Sequence, residues 1–507
     1  MTLTINDVVA AGQAYSNRHK MPSNSSASRT GTMASRKTAF PKTLIDIHID
    51  NHFSSKVYTS GSPISGHVTI TPQRDVYFDT FQIVLMGVTK TRVEAVGMPV
   101  ESTHIFLKMA MPIPQSEYPV PRVFETGVPY TFPFNFVVPY HLTISSCNHA
   151  TDSGLVHEAH TCLPPTMGDW PKDDLAPDMA QVEYSIKARI FREGENPSVP
   201  IKIVEESTPI RILPASAEQP PLNITKEDRA YTMSKTKSVR KKLFSGKVGK
   251  VTATAIQPEA VHLTPDGLAI SDTTAQVMLN FDPVSPDVTP PKVTAISGKI
   301  IATTHYASGP ITSFPNLGST YEMGGVDRRN QFSTSVSLFN TTLDKFKWTQ
   351  YLTPERRDSG YSSDSQCSDG NNNTNTNNKA ASSSSPLCHR ATLQVPVKLP
   401  LGKKTFIPTF HSCIASRTYA LSLSVVVGSG STATTLTVTV PLQVAAELDG
   451  QKGMGLPDFE TAVEEAQADE HLRPRMLSLP AVEFQHSGDL PGYASLVGAQ
   501  RRRATAN

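Results

Sequence analysis

The feature that most constrains this chain is a period of two. Leu44-Ile-Asp-Ile-His-Ile49, Ile64-Ser-Gly-His-Val-Thr-Ile70, Phe81-Gln-Ile-Val-Leu85, Ile105-Phe-Leu-Lys-Met109 and Val182-Glu-Tyr-Ser-Ile-Lys-Ala-Arg-Ile190 alternate apolar and polar side chains. A strand places successive side chains on opposite faces, so each block is a strand with one buried and one wet face. Ser60-Gly61-Ser62-Pro63, Pro112-Ile-Pro114 and Gly127-Val-Pro129 punctuate them with turn chemistry. No segment of this region carries a long apolar stripe at helical spacing, and about seven short strands between turns predict an antiparallel sandwich over 43–213.

The pattern recurs over 246–446, in Lys250-Val-Thr-Ala-Thr-Ala-Ile256, Ala275-Gln-Val-Met-Leu-Asn-Phe281, Lys292-Val-Thr-Ala-Ile296, Thr392-Leu-Gln-Val395, Tyr419-Ala-Leu-Ser-Leu-Ser-Val425 and Leu436-Thr-Val-Thr-Val440. The two blocks echo each other, Ile64-Ser-Gly-His-Val-Thr-Ile-Thr71 against Ile296-Ser-Gly-Lys-Ile-Ile-Ala-Thr303. The expected architecture is all-β, two tandem antiparallel immunoglobulin-like β sandwiches. The second is interrupted by the Ser/Asn-rich tract 355–388, too polar to offset its ordering entropy and expected at a hairpin tip.

Composition fits folded lobes plus unstructured ends. Hydrophobic residues are 38% of the chain and Pro is 40 of 507. Residues 1–42, rich in Ser, Lys and Arg, and the tail 447–507 are read as disordered, with a short helix expected at Asp458–Ala466. The stretch 214–245 loses the alternation, and Lys235–Lys250 holds seven basic residues (Lys235, Lys237, Arg240, Lys241, Lys242, Lys247 and Lys250) and no acid. It is read as a basic connector: a solvated linker, a contact for acidic lipid headgroups, or a nuclear address.

A net charge of +2 argues against a dedicated nucleic-acid binder. No stretch reaches the ~18 apolar residues of a membrane span, and the N-terminus lacks a secretory signal. Five cysteines with no CxxC fit a reducing compartment. The expectation is a soluble, cytoplasmic protein.

The sequence holds no GxSxG, P-loop, HExxH or GxGxxG placed for catalysis. Glu205-Glu206 on a strand would point to opposite faces, and Glu464-Glu465 lies in the tail. Cys147, His149, His157, His160 and Cys162 put three imidazoles and two thiols within a short segment, enough for a tetrahedral Zn²⁺. Their spacing fits no common zinc module, so the segment is read as a His-rich loop, with no metal, cofactor or catalytic residue assigned. Asp358-Ser-Gly-Tyr-Ser-Ser363 resembles a phosphodegron. Leu490-Pro491-Gly492-Tyr493 in the tail is a short ligand of the kind a WW domain's aromatic groove accepts, Pro holding the segment extended and Tyr493 filling a second pocket.

Several phrases carry a family likeness. Val57-Tyr-Thr-Ser-Gly-Ser-Pro-Ile-Ser-Gly-His-Val68 and Tyr130-Thr-Phe-Pro-Phe-Asn-Phe-Val-Val-Pro139 resemble arrestin N-lobe segments. Leu163-Pro-Pro-Thr-Met-Gly-Asp-Trp170 fits the fungal branch, and Ser416-Arg-Thr-Tyr-Ala-Leu421 with Val440-Pro-Leu-Gln-Val444 resembles an arrestin C-lobe. In order, they make the chain similar to α-arrestins of fungal type. The resemblance implies a non-enzymatic adaptor that links a WW-domain HECT ubiquitin ligase to plasma-membrane transporters or receptors, promoting ubiquitination and endocytosis, with recruitment to plasma membrane or endosomes. Leu490, Pro491 and Tyr493 then match the LPxY form of the family's ligase-binding motif. Lys241, Lys242, Lys247 and Lys250 are candidate ubiquitin acceptors on an accessible connector. The alternative is an arrestin-fold trafficking or signalling scaffold that recruits no ligase.

Overall fold

The computed structural model describes residues 44–94, 97–194, 200–240, 246–267, 273–318, 329–343, 346–352, 387–428 and 432–447. They form two β sandwiches in tandem. In the first, Leu44–Ile49, Pro63–Thr71 and Tyr130–Val137 make one antiparallel sheet. The opposing sheet runs Val57–Tyr58, Ile201–Ile212, Ala180–Arg192, Thr80–Val93 and Val100–Ala110. Its core pairing sets Leu85 opposite Ile186. The alternation works as the sequence requires: Val182, Tyr184, Ile186, Ala188 and Ile190 are all buried on one face of one strand. They share one apolar cluster with Phe132, Phe134 and Phe136 of the facing sheet, and the rings of Phe81 and Phe132 lie 4.8 Å apart between the layers.

The second sandwich repeats the plan. One sheet runs Ser234–Arg240, Lys247–Ala255, Thr273–Pro283, Leu387–Val397 and Thr349–Leu352. The other orders Arg329–Thr342, Val293–Ala307, Ala415–Val427 and Phe410–His411, with Thr434–Leu442 also paired to Ala415–Val427. Thr349–Leu352 pairs directly with Leu387–Val397, Leu352 facing Leu387, so the Ser/Asn-rich tract does join the two strands of a hairpin. Its expected end at 388 falls inside a strand. A single apolar cluster contains core residues of both sandwiches.

The basic connector is corrected at its C-terminal end. Ser234–Arg240 is a strand of the second sandwich, in antiparallel register with Lys247–Ala255, and Thr236 and Thr252 share a cross-strand hydrogen bond of 2.9 Å. The lack of apolar alternation has a physical reason: this is an edge strand, exposed except around Val239, and lysine on an edge blocks pairing with another sheet. The segment joining the sandwiches ends nearer residue 233 than 245. The expected tail helix, the phosphodegron-like stretch and the N-terminal region lie outside the described residues.

Candidate functional site at the junction of the sandwiches

Between Tyr130–Val137 and Ala180–Arg192 the first sandwich sends out a long excursion that lies against the second. It opens with a 3₁₀ turn, Ile144–Ser146, followed by Cys147 and His149. An α-helix, Gly154–Thr161, follows, capped by Ser153, whose hydroxyl accepts from the Val156 amide. Val156 and His160, four residues apart and so on one face, are its buried residues. The Asp152 amide donates to the Thr312 carbonyl of the second sandwich at 2.9 Å. The sequence expectation of a loop is thus revised for Gly154–Thr161. The helix is only two turns long, too short to display a period, and Ser153 was the signal that could have found it.

From the other side comes a tight reversal between Phe410–His411 and Ala415–Val427. The Ser412 amide and hydroxyl both donate to the Ala415 carbonyl, at 2.9 and 2.7 Å. Amides of Ala307 and Ile311 donate to the carbonyls of Ile414 and Cys413. This fixes Cys413, which is buried with Cys147 and Ile414 in a small separate cluster.

The two sides bring four donor atoms together. Those of Cys147, His149, His160 and Cys413 all lie within 4.8 Å of one another. Cys147 Sγ is 3.5 Å from His149 Nε2 and 3.6 Å from His160 Nδ1. His149 Nδ1 lies 3.0 Å from the Ala150 carbonyl. A carbonyl only accepts, so Nδ1 carries a proton, and Nε2 faces Cys147. Burial, reinforced by neighbouring His149, His157 and His104, pulls His160 down to about 4. Burial, then the nearby Cys147, pushes the Cys413 thiol up to about 12. Of the five Cys/His positions singled out in sequence, three assemble. His157 is half-buried and near enough to act on His160, but its ring is not among the four clustered donors, and the exposed Cys162 turns its Sγ to the Glu158 carbonyl. Cys413 gives no sequence signal, because no local spacing connects it to the first sandwich. These four are the residues that could hold a metal ion among those described.

Beside them the junction carries a buried polar group. Arg417 is fully buried, its Nε donating to Thr304 Oγ1 at 3.0 Å and its Nη1 to the Asp174 carbonyl at 2.9 Å. The Asp174 carboxyl accepts from the Gly168 and Ala176 amides, yet burial pushes its pKa up against those bonds and the pull of Arg417. At the rim Lys404 pairs with Asp173 at 2.5 Å. Thr91 and Ser102 hydroxyls donate to the carbonyls of Ala307 and Ser308.

The other positions named from sequence lie elsewhere. Leu490, Pro491, Tyr493, Lys241 and Lys242 are outside the described residues. Lys247 and Lys250 are exposed on the strand Lys247–Ala255. Glu205 is not one of a carboxylate dyad: it pairs with Lys187, Arg189 and Lys202. No helix among the described residues is long and apolar enough to cross a membrane. No protein-family model and no curated protein matches the chain.

Proposed function

We propose that this chain is a non-enzymatic adaptor that joins a WW-domain HECT ubiquitin ligase to a membrane transporter or receptor, for ubiquitination and endocytosis. Two sandwiches locked at a buried junction offer a client two sheet-built surfaces in fixed relation. The observation that carries the ligase arm is Leu490-Pro491-Gly492-Tyr493, in the chain that follows the last described strand, Val444–Ala446. Pro491 restricts Leu490 to extended geometry, so a docking ligand of this kind loses less entropy. A single motif gains nothing from avidity, which favours a conditional interaction. The exposed amines of Lys247 and Lys250 are open to a docked ligase, and the basic hairpin that holds Lys250 offers a contact to acidic headgroups.

The test is binding of the full chain to a panel of HECT-ligase WW domains, with and without Tyr493→Ala. The adaptor predicts binding that Tyr493→Ala abolishes. Absence of binding to the whole panel removes the ligase arm and leaves the arrestin-fold scaffold.

A further inference from the structure

We propose that Cys147, His149, His160 and Cys413 bind a structural Zn²⁺ ion that clasps the two sandwiches together. This stands independently of the adaptor function. The donor set is two thiols and two imidazoles, the tetrahedral S₂N₂ combination that suits zinc, whereas Ca²⁺ and Mg²⁺ need oxygen ligands that this group does not offer. The size fits. With Zn–S at about 2.3 Å and Zn–N at about 2.05 Å, a regular tetrahedron has an S···N edge of about 3.6 Å. The two S···N separations that involve Cys147 are 3.5 and 3.6 Å.

The surroundings fit as well. A zinc-bound histidine donates its other ring N–H to a carbonyl or carboxylate, which fixes the tautomer. His149 does this through Nδ1 to Ala150. When the ion binds, each thiol loses its proton to solvent, and two thiolates cancel the charge of the dication. The buried site therefore carries no net charge to desolvate. Four protein ligands close the coordination sphere, and a closed site is structural rather than catalytic.

The topology gives the ion its role. Cys147, His149 and His160 belong to the excursion of the first sandwich, while Cys413 sits in the reversal ahead of Ala415–Val427 in the second. Ligands supplied by both bodies make metal binding and docking of the bodies one equilibrium. Removing the ion releases Cys413 first, since it alone comes from the far side.

The experiment is zinc analysis of the full chain, produced in zinc-supplemented medium and purified under reducing conditions without chelator. The wild type is expected to carry about one zinc per chain. Cys413→Ser and His160→Ala lose at least tenfold of it, while Cys162→Ser and His157→Ala, beside the site in sequence but outside the cluster, retain it. Should a ligand variant fold poorly, the wild type still decides. Chelation should make Cys147 and Cys413 reactive towards an alkylating reagent, read by peptide mapping, and Co²⁺ exchange should give the ligand-field absorption of tetrahedral thiolate coordination. A zinc-free wild type overturns the proposal. So does retention of zinc in a folded Cys413→Ser, loss of it in Cys162→Ser, or recovery of Cys147 and Cys413 joined as a disulfide.

Discussion

Arg417 of the second sandwich donates to the backbone carbonyl of Asp174 of the first, 2.9 Å away in a position closed to solvent. A cation taken this far out of water is held by Thr304, the Asp174 carbonyl and the face of Tyr419, 5.9 Å from its guanidinium, while its Nη2 has no hydrogen-bond partner among the described residues. Arg417→Leu leaves the Asp174 carbonyl and the Thr304 hydroxyl without their donor and is expected to cost about 3 kcal/mol of unfolding free energy. A double-mutant cycle with Thr304→Val should give a coupling of about 1 kcal/mol, the two groups being in direct contact. Denaturant unfolding measures both, and additive effects would deny that the hydrogen bond matters.

The internal echo has a steric meaning. Gly66 stands in register opposite Phe134, and Gly298 opposite Phe339. In each case the ring lies over the glycine: a Cβ on Gly66 would sit 2.8 Å from Phe134 Cζ, and one on Gly298 would sit 2.3 Å from Phe339 Cε1. Aromatic cover of a strand glycine stabilises both central strands in the same way. The two sites differ in what can yield. Next to Gly66 the nearest obstacle is the His48 carbonyl at 2.1 Å, part of the backbone of the paired strand, whereas next to Gly298 it is a ring that can turn. Gly66→Ala should therefore destabilise by about 3 kcal/mol and Gly298→Ala by about 1 kcal/mol. Thermal unfolding of the two variants in parallel checks the order, and equal losses would refute the argument.

His305 makes the fold sensitive to acid. It is buried, with Nε2 3.2 Å from Thr418 Oγ1, and burial, then Arg417, lowers its pKa from 6.5 to about 4. The unfolded imidazole takes a proton near 6.5 and the folded one not until about 4, so the unfolded state binds more protons in between. Stability from this group is complete above 6.5 and is lost as pH falls toward 4. From pH 7 to pH 5 the loss from His305 is about 2 kcal/mol. Comparing urea midpoints at the two pH values, His305→Gln should show a smaller drop than wild type. An unchanged drop would mean that the imidazole is already protonated in the native state.

Strands with a wet and a dry face were legible, because burial on one side writes a period of two into the residues. Val182–Ile190 and Lys250–Ile256 are such cases: the first strand runs a few residues past its block at each end, and the second starts at Lys247 and stops at Ala255, one residue short of the exposed Ile256. Arg329–Thr342 was not legible. Among the described residues it is an edge strand and mostly exposed, so the alternation of Phe332, Thr334, Val336 and Leu338 with Gln331, Ser333, Ser335 and Ser337 carries few strongly apolar side chains and does not stand out. The Cys/His group was half legible. The residue types were conspicuous, but which of them assemble depends on the direction of a two-turn helix, and the fourth donor depends on how two bodies dock. Neither leaves a trace in local spacing. Arg417 was hidden for the same reason, its partner Asp174 lying on the other body.

The basic edge strand yields a last expectation. Among the described residues, Ser234–Arg240 forms the margin of its sheet, and its outward backbone groups face no neighbouring strand of that sheet. Lys235, Lys237 and Arg240 are all exposed along it. Charges of one sign along a free edge repel a second copy of the same edge and keep two sheets from joining. Replacing Lys235 and Lys237 together with Thr keeps strand propensity and removes two of the three charges on that strand. The double variant should stay folded and associate with rising concentration, increasing its weight-average mass in light scattering, and added salt should push the wild type in the same direction by screening. A variant that remains monomeric across the concentration range would show that the lysines are not what protects this edge.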